Sequence, residues 1–131
     1  MSTPTVTLLV TDYRLISQDY AQGAIRAVLL INGAAAAALL SQVTTLKELI
    51  SLHALGFALF IYVSGVAFGA LTWLTAYESA RQADIAEREA KFAEGVNYRI
   101  ANSYHFVSEG LLFFGIIFFL AGSCFLILEF L

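Results

Sequence analysis

Three long stretches of the chain contain no charged residue: Ala27–Leu46, Ala54–Tyr77 and Gly110–Leu128. They contain 20, 24 and 19 residues, and a helix of about 20 apolar residues crosses the roughly 30 Å hydrocarbon core of a bilayer. A soluble helix of this length needs a polar stripe facing water, which these stretches lack. We therefore predict an all-α integral membrane bundle of three transmembrane helices, forming one membrane domain over residues 1–131.

The predicted spans extend a few residues beyond these stretches at their N-terminal ends. The first span covers residues 24–46, the second 53–77 and the third 106–128. Residues 1–23 form an N-terminal segment before the first span, and residues 78–104 connect the second span to the third. The connection between the first two spans is short, so we expect these two helices to be antiparallel neighbours.

The Lys and Arg residues predict the orientation of the bundle. Of the seven, six precede the first uncharged stretch or lie between the second and third, and Lys47 alone lies between the first and second. Three crossings put the two positive segments on one side, which the positive-inside rule makes cytoplasmic. We therefore expect a cell-membrane protein, in a bacterial inner membrane, with its N terminus and residues 78–104 in the cytoplasm and its C terminus outside.

Both cytoplasmic segments have helical patterns. Apolar residues recur every three or four positions from Tyr13 to Ala24, which predicts an N-terminal interfacial helix with a bend near Gly23. A plain helical extension of the first span is the alternative. Residues 78–95 are rich in Ala, Glu, Lys and Arg and contain no proline, so they are expected to continue the second span as a helix.

The return path of this connection completes a predicted cytoplasmic helical hairpin between helices 2 and 3. The first arm should end near Glu94, with Gly95 as its C-cap. Residues 97–106 then run back towards the membrane and offer apolar side chains to cover the thin apolar side of the first arm. A solvated charged surface and a docking surface for a partner are both compatible with this hairpin.

Small residues indicate where the spans pack, because helices in lipid associate through close approach. The first span has a run of small residues and is expected to be the central helix, and its Asn32 amide needs a partner. The second span has a GxxxG pair, and the phenylalanine-rich third span suits exposure to lipid. The helix-packing candidates are Gly33, Ala34, Ala38, Gly65, Gly69 and Thr72.

Only His105 and Glu109 form a pair with the spacing of a chemical site. They are four residues apart, share one helix face, and lie where the third span enters the membrane. Such a pair can hold a metal or orient a histidine, but zinc normally takes three or four protein ligands. The other histidine, His53, is predicted on the opposite side of the bilayer. An interfacial hydrogen bond is therefore the favoured interpretation, and no catalytic residue, metal or cofactor is predicted.

These features favour a non-enzymatic protein whose partners are the lipid bilayer and other membrane subunits or copies of itself. Its expected role is a structural or accessory subunit of a larger membrane complex or homo-oligomer. The alternative is an oligomeric pore-forming or membrane-disrupting, holin-like effector. An enzyme would require His105 and Glu109 to join a site completed by another chain. A net charge of −3 gives no basic face for nucleic acid.

Overall fold

In a computed structural model that describes residues 4–89 and 96–131, the chain forms three long helices. They are α1 (Pro4–Leu46), α2 (Leu52–Glu89) and α3 (Val96–Phe130). Side chains are described for residues 18–86 and 99–131. All three helices are long and apolar enough to cross a membrane, so the described part of the chain has the predicted all-helical class.

The helix ends match the predicted spans most closely at the connection between α1 and α2. α1 continues without interruption through Gly23, as the alternative of a helical extension requires, and its position at a membrane interface stays a prediction. α2 continues past the second predicted span as far as Glu89. The predicted C-cap, Gly95, lies outside the described residues.

The turn between α1 and α2 has a well-formed start for the second helix. The Ser51 hydroxyl accepts a hydrogen bond of 3.1 Å from the backbone N–H of Ala54, three residues later, which is the geometry of a serine N-cap. Ile50 and Leu55, on either side of this cap, are both buried. They occupy the positions of a hydrophobic staple, which fixes the angle at which the chain enters a helix.

The central helix of the bundle is α2, so the prediction that the first span is central is wrong. α2 packs along α3 through most of its length and along α1 over a shorter region, whereas α1 and α3 meet only locally. Small residues permit close approach on every face where they occur, but they do not select a face. The apolar part of α2 is accordingly the most buried of the three, and that of α3 the least.

Aromatic rings line much of the contact between α2 and α3. Phe57 packs edge-on against Phe125 with ring centroids 5.1 Å apart, and Phe68 lies 5.1 Å from Phe118. Phe113, in contrast, is 69% exposed. The phenylalanines of α3 thus serve two roles, because one group packs on α2 while another faces outward, as expected for contact with lipid.

Candidate functional site

The three helices meet at the side chain of Asn32, which is completely buried. Its Nδ2 group donates one hydrogen bond of 3.0 Å to the carbonyl of Val28 in α1. It donates a second, of 3.1 Å, to the carbonyl of Gly115 in α3. The partner expected for the Asn32 amide is therefore a carbonyl of the third helix. Both protons of the amide nitrogen are engaged in hydrogen bonds.

The remaining Asn32 atom, Oδ1, lies against α2 at Gly65. It has no conventional hydrogen-bond donor among the described residues. A Cβ atom added to Gly65 would lie only 2.1 Å from Oδ1, so the Gly65 Cα and one of its hydrogens lie next to this oxygen. That arrangement corresponds to a Cα–H···O contact, a weak interaction that recurs where helices approach closely. Gly65 therefore makes room for the amide and faces its oxygen.

Two further glycines hold the helices close around Asn32. A Cβ on Gly115 would lie 2.5 Å from a methyl carbon of Val28 in α1. A Cβ on Gly69, one turn from Gly65, would lie 2.9 Å from a methyl carbon of Leu29. The Asn32 junction, defined by Asn32, Gly65 and Gly115, is thus a point where one amide and two glycines fix all three helices.

A second polar contact joins α2 and α3, about one turn from Gly65 on α2 and two turns from Gly115 on α3. The buried Tyr62 hydroxyl lies 3.1 Å from the Ser123 hydroxyl. A Cβ on Gly122 would lie 2.9 Å from the Tyr62 ring, so this glycine leaves the space that the ring occupies. Tyr62 combines apolar packing with one satisfied hydroxyl, as buried tyrosines usually do.

Hydroxyl groups continue the contact between α2 and α3 towards the other end of the bundle. Ser108 donates to the carbonyl of Thr72 at 3.4 Å, and Thr72 is itself buried and donates to the Phe68 carbonyl of its own helix. Ser79 donates to the carbonyl of Ala101 at 2.9 Å. This last contact lies in the predicted cytoplasmic hairpin, where it ties the two arms together.

The predicted packing residues divide between the interior and the surface. Gly65, Gly69 and Thr72 are buried in the contacts just described. Gly33 is half-buried, and a Cβ atom added there would lie 4.0 Å from a methyl carbon of Val66 in α2. Ala34 and Ala38 are exposed on α1.

The two histidines lie on the surface of the bundle. The His105 Nε2 atom is 3.2 Å from the Glu109 Oε1 atom, and about 60% of each side chain is exposed. His53, beside the connection between α1 and α2, is also exposed. Among the described residues, no three His, Cys, Asp or Glu side chains of this chain come together as metal ligands.

Sequence reasoning missed Tyr62, because a single tyrosine within an apolar span gives no sign of the face on which it lies. Small residues at Ala58, Gly65 and Gly69 recur at helical spacing and could have located it, since Tyr62 lies four residues after Ala58 and three before Gly65, on the same helix face. Gly115, Gly122 and Ser123 are small residues of the third span, and such residues permit contact between helices. Their exact partners depend on the register between helices.

No family model matches the chain, and neither a curated protein nor a solved structure is similar enough to count as a match.

Proposed function

We infer that the protein is a non-enzymatic integral membrane subunit, with a structural or accessory role in a larger membrane complex or a homo-oligomer. In this proposal it sits in a bacterial inner membrane, with residues 78–104 in the cytoplasm. It associates through the α1 outer face, defined by Ala34, Ala38, Ser41 and Gln42. The observation that carries the proposal is that this face combines small side chains with an outward-pointing amide.

The geometry of the α1 outer face favours contact with another helix over contact with lipid. At 3.6 residues per turn its four residues fall within about 100° of arc, and all four are exposed. Alanines offer little apolar surface to lipid, but they allow a second helix to approach closely. The Ser41 hydroxyl is satisfied by the carbonyl of Ala38 at 2.9 Å, so it adds no obstacle to such an approach.

Gln42 supplies the polar part of the same face. Its amide is exposed and lies one turn beyond Ala38, inside the first predicted span. Polar side chains within membrane spans commonly form hydrogen bonds across helix contacts, each worth about 0.6–2 kcal/mol. Asn32 forms such a bond inside the chain, and we propose that Gln42 forms one with a partner helix.

The interior of the bundle favours a packing role for its polar side chains over a channel enclosed by a single chain. Its polar side chains are engaged in contacts between helices: Asn32 with the Gly115 carbonyl, Tyr62 with Ser123, and Ser108 with the Thr72 carbonyl. A water-filled channel needs polar groups turned towards water along a continuous path. These groups instead join one helix to another.

Association through the α1 outer face is tested by bulky substitution in the full-length protein. Ala38→Leu and Gln42→Leu should each release the chain from its assembly in mild detergent, as measured by multi-angle light scattering and by mass spectrometry of co-purifying chains. Ala67→Leu is the matched control, since Ala67 is an exposed alanine of α2. A wild-type protein that is monomeric and has no co-purifying chain in several mild detergents would contradict the proposal.

A further inference from the structure

We propose that His105 and Glu109 form half of a divalent-metal site, best suited to Zn²⁺, which the same two residues of a second copy of the chain complete. This site lies on α3 and is independent of the α1 outer face. The site requires ligands from two chains, because each chain supplies two and zinc usually binds four ligands in a structural site.

The separation of the two ligand atoms fits a shared zinc ion. Zinc lies about 2.0–2.1 Å from a histidine nitrogen and about 2.0–2.2 Å from a carboxylate oxygen, so two ligands at a tetrahedral angle are about 3.4 Å apart. The His105 Nε2 and Glu109 Oε1 atoms are 3.2 Å apart. The two side chains therefore already have the spacing of ligands to a single ion, and their helical spacing of four residues keeps them on one face.

The direction in which the pair points indicates that its partner lies outside the chain. Ionisable residues in membrane spans nearly always face the bundle interior or a water-filled cavity. His105 and Glu109 instead have side chains that are 62% and 59% exposed, within the α3 segment that is apolar enough to span a membrane. At this end of the span, the exposed pair is open to an ion and to a second chain outside its own bundle.

A second copy related by a two-fold axis provides the missing ligands with a balanced charge. Two neutral imidazoles and two carboxylates around one Zn²⁺ carry no net charge, which suits the edge of a membrane. Two-fold contacts use the same patch on both chains. Phe113, Leu120 and Ile127 continue the His105–Glu109 face along α3 and are 69%, 54% and 60% exposed, so they can pack against their counterparts below the metal.

The test uses the full-length protein in detergent, titrated with ZnCl₂ and followed by calorimetry and native mass spectrometry. One zinc ion should bind per two chains. The mass of the Ala38→Leu protein, whose α1 outer face no longer associates, should double on binding, and the mass of the wild-type particle should at least double. His105→Ala and Glu109→Gln should each abolish both effects, whereas His53→Ala, which removes the other histidine, should leave them unchanged. Unaltered helical circular dichroism in the two α3 variants will show that the loss reflects the ligands.

Two results would overturn the proposal. One is binding by His105→Ala with wild-type affinity, and the other is binding of one zinc per chain with no change in mass. Ala38→Leu separates this proposal from the proposed function, because it alters the α1 outer face and leaves the zinc ligands intact. Zinc-dependent pairing should persist in that variant whether or not the α1 face associates.

Discussion

Replacing Gly65 with alanine is the most sensitive probe of the Asn32 junction. The new Cβ would lie 2.1 Å from Asn32 Oδ1 and 2.4 Å from Cγ, far inside van der Waals contact. The Asn32 side chain is completely buried, so it can move only by displacing neighbouring groups. Any such movement stretches or breaks its 3.1 Å hydrogen bond to the Gly115 carbonyl.

The expected cost is the sum of three effects on the free energy of unfolding. Overpacking a well-packed interior costs about 1–3 kcal/mol, and the interhelical hydrogen bond is worth about 0.6–2 kcal/mol. Alanine recovers at most about 1 kcal/mol through its higher helix propensity. Gly65→Ala should therefore destabilise the bundle by about 1–4 kcal/mol.

The assay is an SDS titration in mixed micelles, with energy transfer between probes on α1 and α3 as the signal. Thr45→Cys and the native Cys124 supply two exposed labelling positions. Gly56→Ala is the matched control, because a Cβ at Gly56 meets no atom within 4 Å. It should be neutral or slightly stabilising, since only its helix propensity changes.

Coupling between the two residues separates this mechanism from a general intolerance of α2 to substitution. Asn32→Ala removes the atoms that the new Cβ would strike, so Gly65→Ala should cost much less in that background. Contacting residues typically show coupling of about 0.5–3 kcal/mol. A Gly65→Ala variant as stable as Gly56→Ala, or equal costs in both backgrounds, would refute the reasoning.

The same titration tests the second polar contact. Tyr62→Phe and Ser123→Ala should each lower the free energy of unfolding by about 0.5–1.5 kcal/mol. Because each substitution removes the same hydrogen bond, the double variant should lose less stability than the sum of the two single variants. Strict additivity would contradict the contact. Gly122→Ala should destabilise by about 1–3 kcal/mol, because its Cβ would lie 2.9 Å from the Tyr62 ring. Gly110→Ala should not destabilise the bundle, because a Cβ there meets no atom within 4 Å. Equal effects of Gly122→Ala and Gly110→Ala would contradict the packing described.

The helical class and the spans could be predicted because they depend on one strong signal, the absence of charge over a membrane-length stretch. The buried face of α2 could also be predicted. The small residues Ala58, Gly65 and Gly69 recur at helical spacing, and all three are buried. In a helix that is apolar on every side, small residues are the main remaining indication of where another helix fits.

The identity of the central helix and the partner of Asn32 could not be read from the sequence. Five consecutive alanines make α1 narrow on every side, yet Ala36 is buried while Ala34 and Ala38 are exposed. The bond from Asn32 to Gly115 joins residues 83 positions apart, and it depends on the register of α3 against α1. Local patterns contain no information on that register.

Side-specific labelling of single cysteines in intact cells tests the three-crossing arrangement most directly. In a Cys124→Ala background, Lys47→Cys and Glu129→Cys should react with a membrane-impermeant maleimide added outside. Arg81→Cys should react only after the membrane is permeabilised. Labelling of positions 47 and 81 from the same side of an intact membrane would contradict the arrangement, because α2 would then not cross the bilayer between them.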